Sequence, residues 1–203
     1  MHKVVKLGVL LSVVFLTVAL FAQAQPAEGV PQKAIIDTTA GKINCTLFPE
    51  QAPIGVATFV GLAEGTKDWV NQASGARKHG VPLYDGTIFH RVIPEFMIQG
   101  GDPLGTGTGQ PIPGFGVETA KKLNFDRPGR LAYANTGMPN SNGSQFFITE
   151  EAYPSLDGKY TIFGQCENLD VVKKIARMPR DRNDRPNMPV KINHITIVRA
   201  PAK

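Results

Sequence analysis

Short runs of β-branched and aromatic residues recur along most of the chain, and glycine, proline or asparagine separates them. With 21 glycines and 16 prolines among 203 residues, breaks between elements are frequent. This pattern is typical of antiparallel β proteins, in which short strands alternate with turns. The predicted strands are Lys33–Thr38, Lys42–Phe48, Ile88–Ile93, Phe96–Gly100, Leu131–Ala134, Phe146–Thr149, Thr161–Gly164 and Ile192–Val198.

Two segments depart from the strand pattern and predict helices. In APIGVATFVGLAEG, Pro53 suits a first helical turn and Gly65 suits the residue after the last turn. In NLDVVKKIARMP, Asn168 can cap the N-terminus and Pro179 prevents continuation. Two helices and about eight short strands predict a mainly β domain, either a barrel or a sandwich.

The first 24 residues have the organisation of a secretory signal peptide. Met1–Lys6 carries two lysines, Leu7–Phe21 is almost entirely apolar, and Ala22-Gln23-Ala24 supplies the small residues that signal peptidase needs. The apolar run is shorter than the roughly 20 residues that span a bilayer as a helix, although an uncleaved membrane anchor remains an alternative.

We therefore predict a signal peptide over residues 1–24, a short extension over 25–32 and one domain over 33–203. No later apolar run is long enough to cross a membrane, so no stable membrane insertion is expected after cleavage. The predicted location is outside the cytoplasm, in a periplasm or in the medium.

The charge balance gives little support for a nucleic-acid partner. The formal net charge of +5 falls to +3 when Lys3 and Lys6 are removed with the signal peptide. Basic residues cluster in RMPRDRNDRP, but Asp181 and Asp184 lie among them, which is typical of a solvated loop.

Cys45 and Cys166 are the two cysteines of the chain, and both lie in or next to predicted strands. A bridge between them is conceivable if those strands are neighbours in an oxidising compartment. Two separately buried thiols are the preferred interpretation. Two cysteines can form neither a disulfide scaffold nor a thiolate zinc site.

The residues that usually perform hydrolysis are not arranged for it. His79, His90 and His194 lie in no nucleophile or metal motif. Asp102 and Asp157 adjoin turn residues, where an Asx turn explains them. The segment GTGTGQPIPGFG lacks the Lys-Ser/Thr ending of a phosphate loop and is better explained as a structured glycine-rich loop.

Unusual residues are concentrated in three segments, FHRVIPEFMIQGGD, AYANTGMPNSNGSQFFI and LDGKYTIFG. If Arg91 lies on a strand, its side chain points to the face opposite His90 and Val92 and can enter a pocket. The remaining residues suggest an apolar floor and polar groups that orient a peptide. The floor residues are Phe96, Met97 and Phe147, and the polar residues are Gln99, Asn135 and Gln145.

These three segments, in this order, resemble the cyclophilin family of peptidyl-prolyl cis/trans isomerases, and particularly its bacterial secreted members. The resemblance runs from about Lys33 to Arg199. It implies a closed eight-stranded antiparallel β-barrel capped by two α-helices, with the substrate groove on the outer wall. It also implies an enzyme that accelerates rotation about X-Pro bonds and assists the folding of exported proteins.

The resemblance places the essential arginine of the family at Arg91 and its loop glycine at Gly105 or Gly107. It implies no cofactor and no metal, proline-containing unfolded or exposed polypeptide segments as partners, and a monomer. The alternative function is a proline-peptide binding module or chaperone with incidental catalysis. The residues implied to bind substrate are Phe96, Met97, Gln99, Ala134, Asn135, Thr136, Gln145, Phe147, Leu156 and Tyr160.

Two positions depart from many eukaryotic members of the family. Ser155 stands where those members have a tryptophan, and Tyr160 stands where they have a histidine. The resemblance implies that the tryptophan contributes to cyclosporin binding, so weakened inhibition with retained catalysis is expected.

Overall fold

The computed structural model describes residues 29–200, so the predicted signal peptide and residues 25–28 of the predicted extension lie outside the described residues. Within this range the chain forms two α-helices, α1 (Pro53–Glu64) and α2 (Leu169–Ala176), and a 3₁₀ turn at Pro154–Leu156. The strands are β1 (Pro31–Thr38), β2 (Gly41–Leu47), β3 (Trp69–Asn71), β4 (Ala76–Lys78), β5 (Arg91–Ile93), β6 (Met97–Gly100), β7 (Arg130–Tyr133), β8 (Phe146–Thr149), β9 (Ile162–Cys166) and β10 (Ile192–Arg199).

Eight of the strands form one antiparallel sheet in the order β10-β1-β2-β9-β7-β8-β6-β5, which curls into a half-barrel. Each of the eight predicted strands is present, with ends displaced by a few residues. The largest displacement is at Ile88–Ile93, where the strand proper covers only Arg91–Ile93. β3 and β4 pair separately as a short hairpin, which the sequence pattern did not predict.

The prediction of a closed barrel is wrong, because the end strands β5 and β10 do not pair with each other. The outer edge of β5 is already occupied, since the Val92 N–H donates to the Asp184 carbonyl at 2.8 Å. The edge of β10 is met instead by the turn before β5. There the Gly86 N–H donates to the Ile192 carbonyl at 2.8 Å, and the Ile192 N–H donates to the Thr87 carbonyl at 2.8 Å.

Helix α1 follows its predicted bounds but receives its N-terminal cap from a distant segment. Pro53 is its first residue and Gly65 ends it in the left-handed conformation with φ 75°. The residue before Pro53 is an alanine, which cannot cap. The Glu118 carboxylate accepts the N–H groups of Ile54 at 2.9 Å and Gly55 at 2.7 Å, which satisfies two free donors of the first turn.

Helix α2 also follows its prediction, but Asn168 does not cap it with its side chain. Asn168 has the left-handed backbone conformation, with φ 58°, and its side-chain oxygen accepts a hydrogen bond from Asn44 at 3.0 Å. Neither helix within residues 29–200 is long and apolar enough to cross a membrane.

The two faces of the sheet carry two separate apolar clusters, because side chains alternate along each strand. Inward-facing residues such as Val92, Ile98 and Ile148 join the main core beneath the helices. Met97 and Phe147, from the same strands, join a smaller cluster on the outer face. The outer face of β6 and β8 is therefore itself partly apolar and can support a binding site.

Cys45 and Cys166 face each other across the β2–β9 ladder and are joined by a disulfide. The preferred interpretation of two separate thiols is wrong. This interpretation failed because the sequence does not reveal which strands are neighbours, and the two cysteines are 121 residues apart in the chain.

We expect replacement of both cysteines by alanine to lower the free energy of unfolding by about 3–5 kcal/mol. Without the bridge, the unfolded chain regains the conformational freedom of a long closed loop. Urea unfolding with and without reductant measures this difference. Reductant should destabilise the wild-type protein and leave the double variant unchanged, whereas equal stability of the wild type in both conditions would contradict the disulfide.

Candidate active site

Strand register places three predicted site residues in a row on the outer face of the sheet. Arg91 on β5 is opposite Gln99 on β6, and Gln99 is opposite Phe147 on β8. Directly paired residues of antiparallel strands point to the same face. As predicted, Val92 is buried in the core and the side chain of Arg91 is 44% exposed. His90 is buried as well, but it borders a depression that Arg91 also lines.

These residues border a depression of about 200 Å³, which we call the apolar pocket. Arg91 is the one charged residue among the described residues that line this pocket. The lining residues are Arg91, Phe96, Met97, Gln99, Ala134, Asn135, Phe147, Leu156 and Tyr160. Every one of them was predicted.

The floor of the apolar pocket is rigid because aromatic rings support it from below. Phe125 is fully buried and stacks on Phe147, with ring centroids 5.8 Å apart. Tyr160 meets the same ring edge-on at 5.5 Å. Phe125 was not predicted as a site residue, because it lies in a loop whose sequence has no strand pattern.

Asp157, predicted to form a local Asx turn, holds this loop in place instead. It accepts the Phe125 N–H at 2.7 Å, from 32 residues away. The turn around LDGK and the loop that carries Phe125 are thereby joined beneath the apolar pocket.

A second depression of about 360 Å³, the polar cleft, adjoins the apolar pocket and shares Gln99, Ala134 and Asn135 with it. The two predicted residues that are absent from the apolar pocket, Thr136 and Gln145, lie here. The other lining residues are Gly107, Thr108, Gly109, Gln110, Ser141 and Gly143.

A chain of hydrogen bonds connects the guanidinium of Arg91 with the wall of the polar cleft. Arg91 donates to the Gln99 side-chain oxygen at 3.5 Å, and Gln99 donates to Gln145 at 3.0 Å. Gln145 donates in turn to the carbonyls of Gly107 at 3.0 Å and Gly109 at 3.1 Å. The contact between Arg91 and Gln99 is long. It orients the guanidinium but leaves most of its N–H groups available to a ligand.

The wall is formed by the glycine-rich loop, which folds around the carboxylate of Asp102. Asp102 is fully buried and accepts the N–H groups of Leu104, Thr106, Gly107 and Gly109 at 2.7–3.2 Å. The bond from Leu104 is the predicted Asx turn. A buried anion at the centre of the loop also excludes phosphate there.

Protonation of Asp102 is strongly disfavoured in the folded protein. Burial alone would raise the pKa of Asp102, but its backbone N–H donors together hold that pKa below its usual value. The carboxylate is therefore ionised at neutral pH and can organise the loop.

Both candidate loop glycines have positive φ, 63° at Gly105 and 84° at Gly107. Gly107 lines the polar cleft and passes directly over His90, so that an added Cβ would lie 3.3 Å from the imidazole. Gly107 is therefore the glycine that borders the site.

The side chain of Asn135 is already engaged in holding its own loop. It donates to the Lys159 carbonyl at 3.1 Å and accepts the Gly137 N–H at 3.0 Å. Its contribution to a ligand must then come largely from its main chain at the border of both depressions.

The three histidines that the structure describes have the positions expected of surface or packing residues. His79 pairs with Asp68 at 2.8 Å and His194 pairs with Asp85 at 3.0 Å, both on the surface. His90 is buried, and burial lowers its pKa, so the imidazole is neutral near pH 7. Among residues 29–200, no group of three or more His, Cys, Asp or Glu side chains could hold a metal ion.

Solved structures share this fold. A crystal structure of a cyclophilin type peptidyl-prolyl cis-trans isomerase from Cryptosporidium parvum superposes with a TM-score of 0.71 at 36% identity, covering 85% of this chain and 100% of that one. A second structure of the same protein, in the presence of the dipeptide Ala-Pro, gives a TM-score of 0.70 at 36% identity, with 83% and 100% coverage.

Sequence relatives agree with the structural ones. The chain is 50% identical over 167 residues to peptidyl-prolyl cis-trans isomerase A of Mycobacterium tuberculosis, covering 81% of this chain and 91% of the relative. It is 47% identical over 168 residues to peptidyl-prolyl cis-trans isomerase B of Streptomyces anulatus, with 81% and 95% coverage. The sequence model of the cyclophilin type peptidyl-prolyl cis-trans isomerase family matches residues 33–197, and the chain belongs to this family of enzymes.

Proposed function

We propose that Arg91 is the catalytic residue of this peptidyl-prolyl isomerase and that the apolar pocket receives the proline ring. The observation that carries the proposal is a single charged side chain at the edge of an otherwise uncharged pocket. The relative solved in the presence of Ala-Pro supports a small X-Pro unit as the ligand for such a pocket.

Rotation about an X-Pro bond needs no bond to be broken. The planar bond has partial double-bond character, which gives a barrier of roughly 18–20 kcal/mol. In the twisted transition state, conjugation is lost and the lone pair is localised on the proline nitrogen. A guanidinium aimed at that nitrogen then donates a hydrogen bond that the planar form accepts poorly, so it stabilises the transition state selectively.

The polar cleft supplies the second requirement, which is to hold the residue before proline while the bond turns. Gln99 is fixed by the hydrogen bond that it donates to Gln145, and the main chain of Ala134, Asn135 and Thr136 lies beside them. The two depressions share residues, so one peptide can occupy both. Tyr160 borders the proline ring, and its hydroxyl offers a further polar contact.

Replacing Arg91 by alanine should lower kcat/KM by about 100-fold or more, the usual loss when a transition-state donor is removed. Arg91→Lys keeps the charge but not the planar fork of donors, so we expect an intermediate loss. A protease-coupled isomerisation assay measures both variants. Arg77→Ala, on the exposed hairpin strand β4, is the matched control and should retain full turnover; unchanged turnover in Arg91→Ala would disprove the mechanism.

Inhibition by cyclosporin A should be weak, because Ser155 is exposed in the 3₁₀ turn and offers little apolar surface next to Leu156. An indole at this position supplies a large apolar area and an N–H donor. We therefore expect Ser155→Trp to lower the inhibition constant about tenfold, equivalent to about 1.4 kcal/mol. Ser155→Ala is the control and should leave inhibition unchanged. Nanomolar inhibition of the wild-type enzyme would contradict this account.

We propose further that the enzyme is exported and acts on polypeptides that fold outside the cytoplasm, as bacterial secreted members do. The charged, apolar and small-residue regions of residues 1–24 support export, and so does a disulfide between Cys45 and Cys166.

Expression of the full chain in a bacterium, with cell fractionation and intact-mass analysis, tests export. We expect a product outside the cytoplasm that begins at Gln25 and whose mass is lower than that of the reduced chain by two hydrogen atoms because of the disulfide. Ala24→Asp should prevent cleavage and is the control. An intact Met1 product with two free thiols in the cytoplasm would contradict export.

A further inference from the structure

A third depression, the edge cleft, lies beside Arg91 on the side of β5. Its volume is about 380 Å³, compared with about 200 Å³ for the apolar pocket. His90, Arg91 and Thr106 form one side, and Asp181, Asn183 and Arg185 form the other. The interleaved acidic and basic residues at 180–185 predicted a solvated loop, with no part in a binding site.

The loop that closes this cleft is fixed in place rather than free. The Asp181 carboxylate accepts the N–H groups of Asn183 at 2.8 Å and Arg185 at 3.0 Å. The Asp184 carbonyl accepts the Val92 N–H on the edge of β5, and the Arg185 guanidinium donates to the Gly105 carbonyl. The loop thus bridges the end of the sheet and the glycine-rich loop.

The edge cleft is continuous with the apolar pocket, since Arg91 and Gln99 border both. A peptide whose proline ring fills the apolar pocket has its preceding residue in the polar cleft, as proposed above. The edge cleft is then the space available to the residue that follows proline.

Unused hydrogen-bonding capacity in the edge cleft consists mainly of donors. His90 is only 5% exposed, and neither of its ring nitrogens has a hydrogen-bond partner. A neutral imidazole carries an N–H in either tautomer. Arg91 and Arg185 add two guanidinium groups.

The acidic groups around the edge cleft already have partners. The Asp181 carboxylate accepts two backbone N–H groups, and Asp184 lies 3.1 Å from Arg180 and 3.9 Å from Arg91. The Asp102 carboxylate, behind His90, is enclosed by its own loop. Two arginines and one carboxylate, that of Asp181, therefore line the edge cleft, so a ligand that brings a carboxylate meets an excess of cationic donors and a ligand that brings a cation meets an excess of positive charge.

We propose that the edge cleft is a binding site for the residue after proline and that it favours a carboxylate there, a proposal that rests on the assignment of the apolar pocket to the proline ring. Arg185 is the specificity-determining residue. His90 lies behind these groups, and both of its ring nitrogens are buried. The enzyme then acts preferentially on Pro-Glu and Pro-Asp sequences among otherwise similar segments.

Matched peptides Ala-Ala-Pro-X-Phe, with X as Glu, Gln or Lys, test the proposal by exchange NMR, which needs no coupling protease. At low salt we expect kcat/KM for the Glu peptide to exceed that for the Gln peptide about fivefold, with the Lys peptide lowest. Salt at 0.5 M should reduce the difference, because charges at an exposed site are screened.

Arg185→Gln should lower the rate for the Glu peptide to that for the Gln peptide, and Arg185→Lys should keep most of the preference. Arg182→Gln, in the same loop but outside the edge cleft, is the matched control and should leave the rates for all three peptides unchanged.

Equal rates for the Glu and Gln peptides in the wild-type enzyme would overturn the inference while leaving the isomerase mechanism intact. A preference that survives Arg185→Gln and disappears in Arg182→Gln would overturn it as well. Absence of any exchange enhancement with all three peptides would instead count against the assignment of the apolar pocket to proline.

Discussion

The geometry of the apolar pocket and the polar cleft depends on one buried anion, the carboxylate of Asp102. It gathers four backbone N–H groups of the glycine-rich loop, and the loop then presents the Gly107 and Gly109 carbonyls to Gln145. Gln145 fixes Gln99, and Gln99 orients Arg91. A buried carboxylate is costly unless donors surround it, so loop and acid stabilise each other. The guanidinium of Arg91 is thus positioned through glutamine side chains, while the buried acid stays behind the glycine-rich loop.

Successive side chains along β5, β6 and β8 point to opposite faces of the sheet. The same strands therefore contribute residues both to the core and to the apolar pocket. Val92, Ile98 and Ile148 face the main core. Arg91, Gln99 and Phe147 face the apolar pocket on the outer side. Shifting any of these strands by one residue would exchange the two sets. The wall of the apolar pocket is consequently as rigid as the sheet. This suits an enzyme whose substrate rotates about an X-Pro bond while the protein around it stays in place.

Local patterns predicted much of this arrangement, and the errors have a common cause. Strand positions, both helices and every lining residue of the apolar pocket followed from periodicity, turn residues and the family resemblance. What failed depends on contacts between distant segments: the Cys45–Cys166 bridge, the Asn168 cap, the partner of Asp157 and the pairing of β5 with loop 180–185 rather than with β10. A single sequence does not encode these pairings in any local signal.

The open end of the half-barrel and the edge cleft have the same structural origin. A sheet edge presents unpaired backbone groups that must be covered. Here the loop at residues 180–185 covers the edge of β5, because Asp184 accepts the Val92 N–H where a closing strand would otherwise pair. Covering the edge places Asp181, Asn183 and Arg185 next to Arg91. A strand in that position would have occupied this space, so the feature that departs from a closed barrel also creates the additional surface beside the apolar pocket.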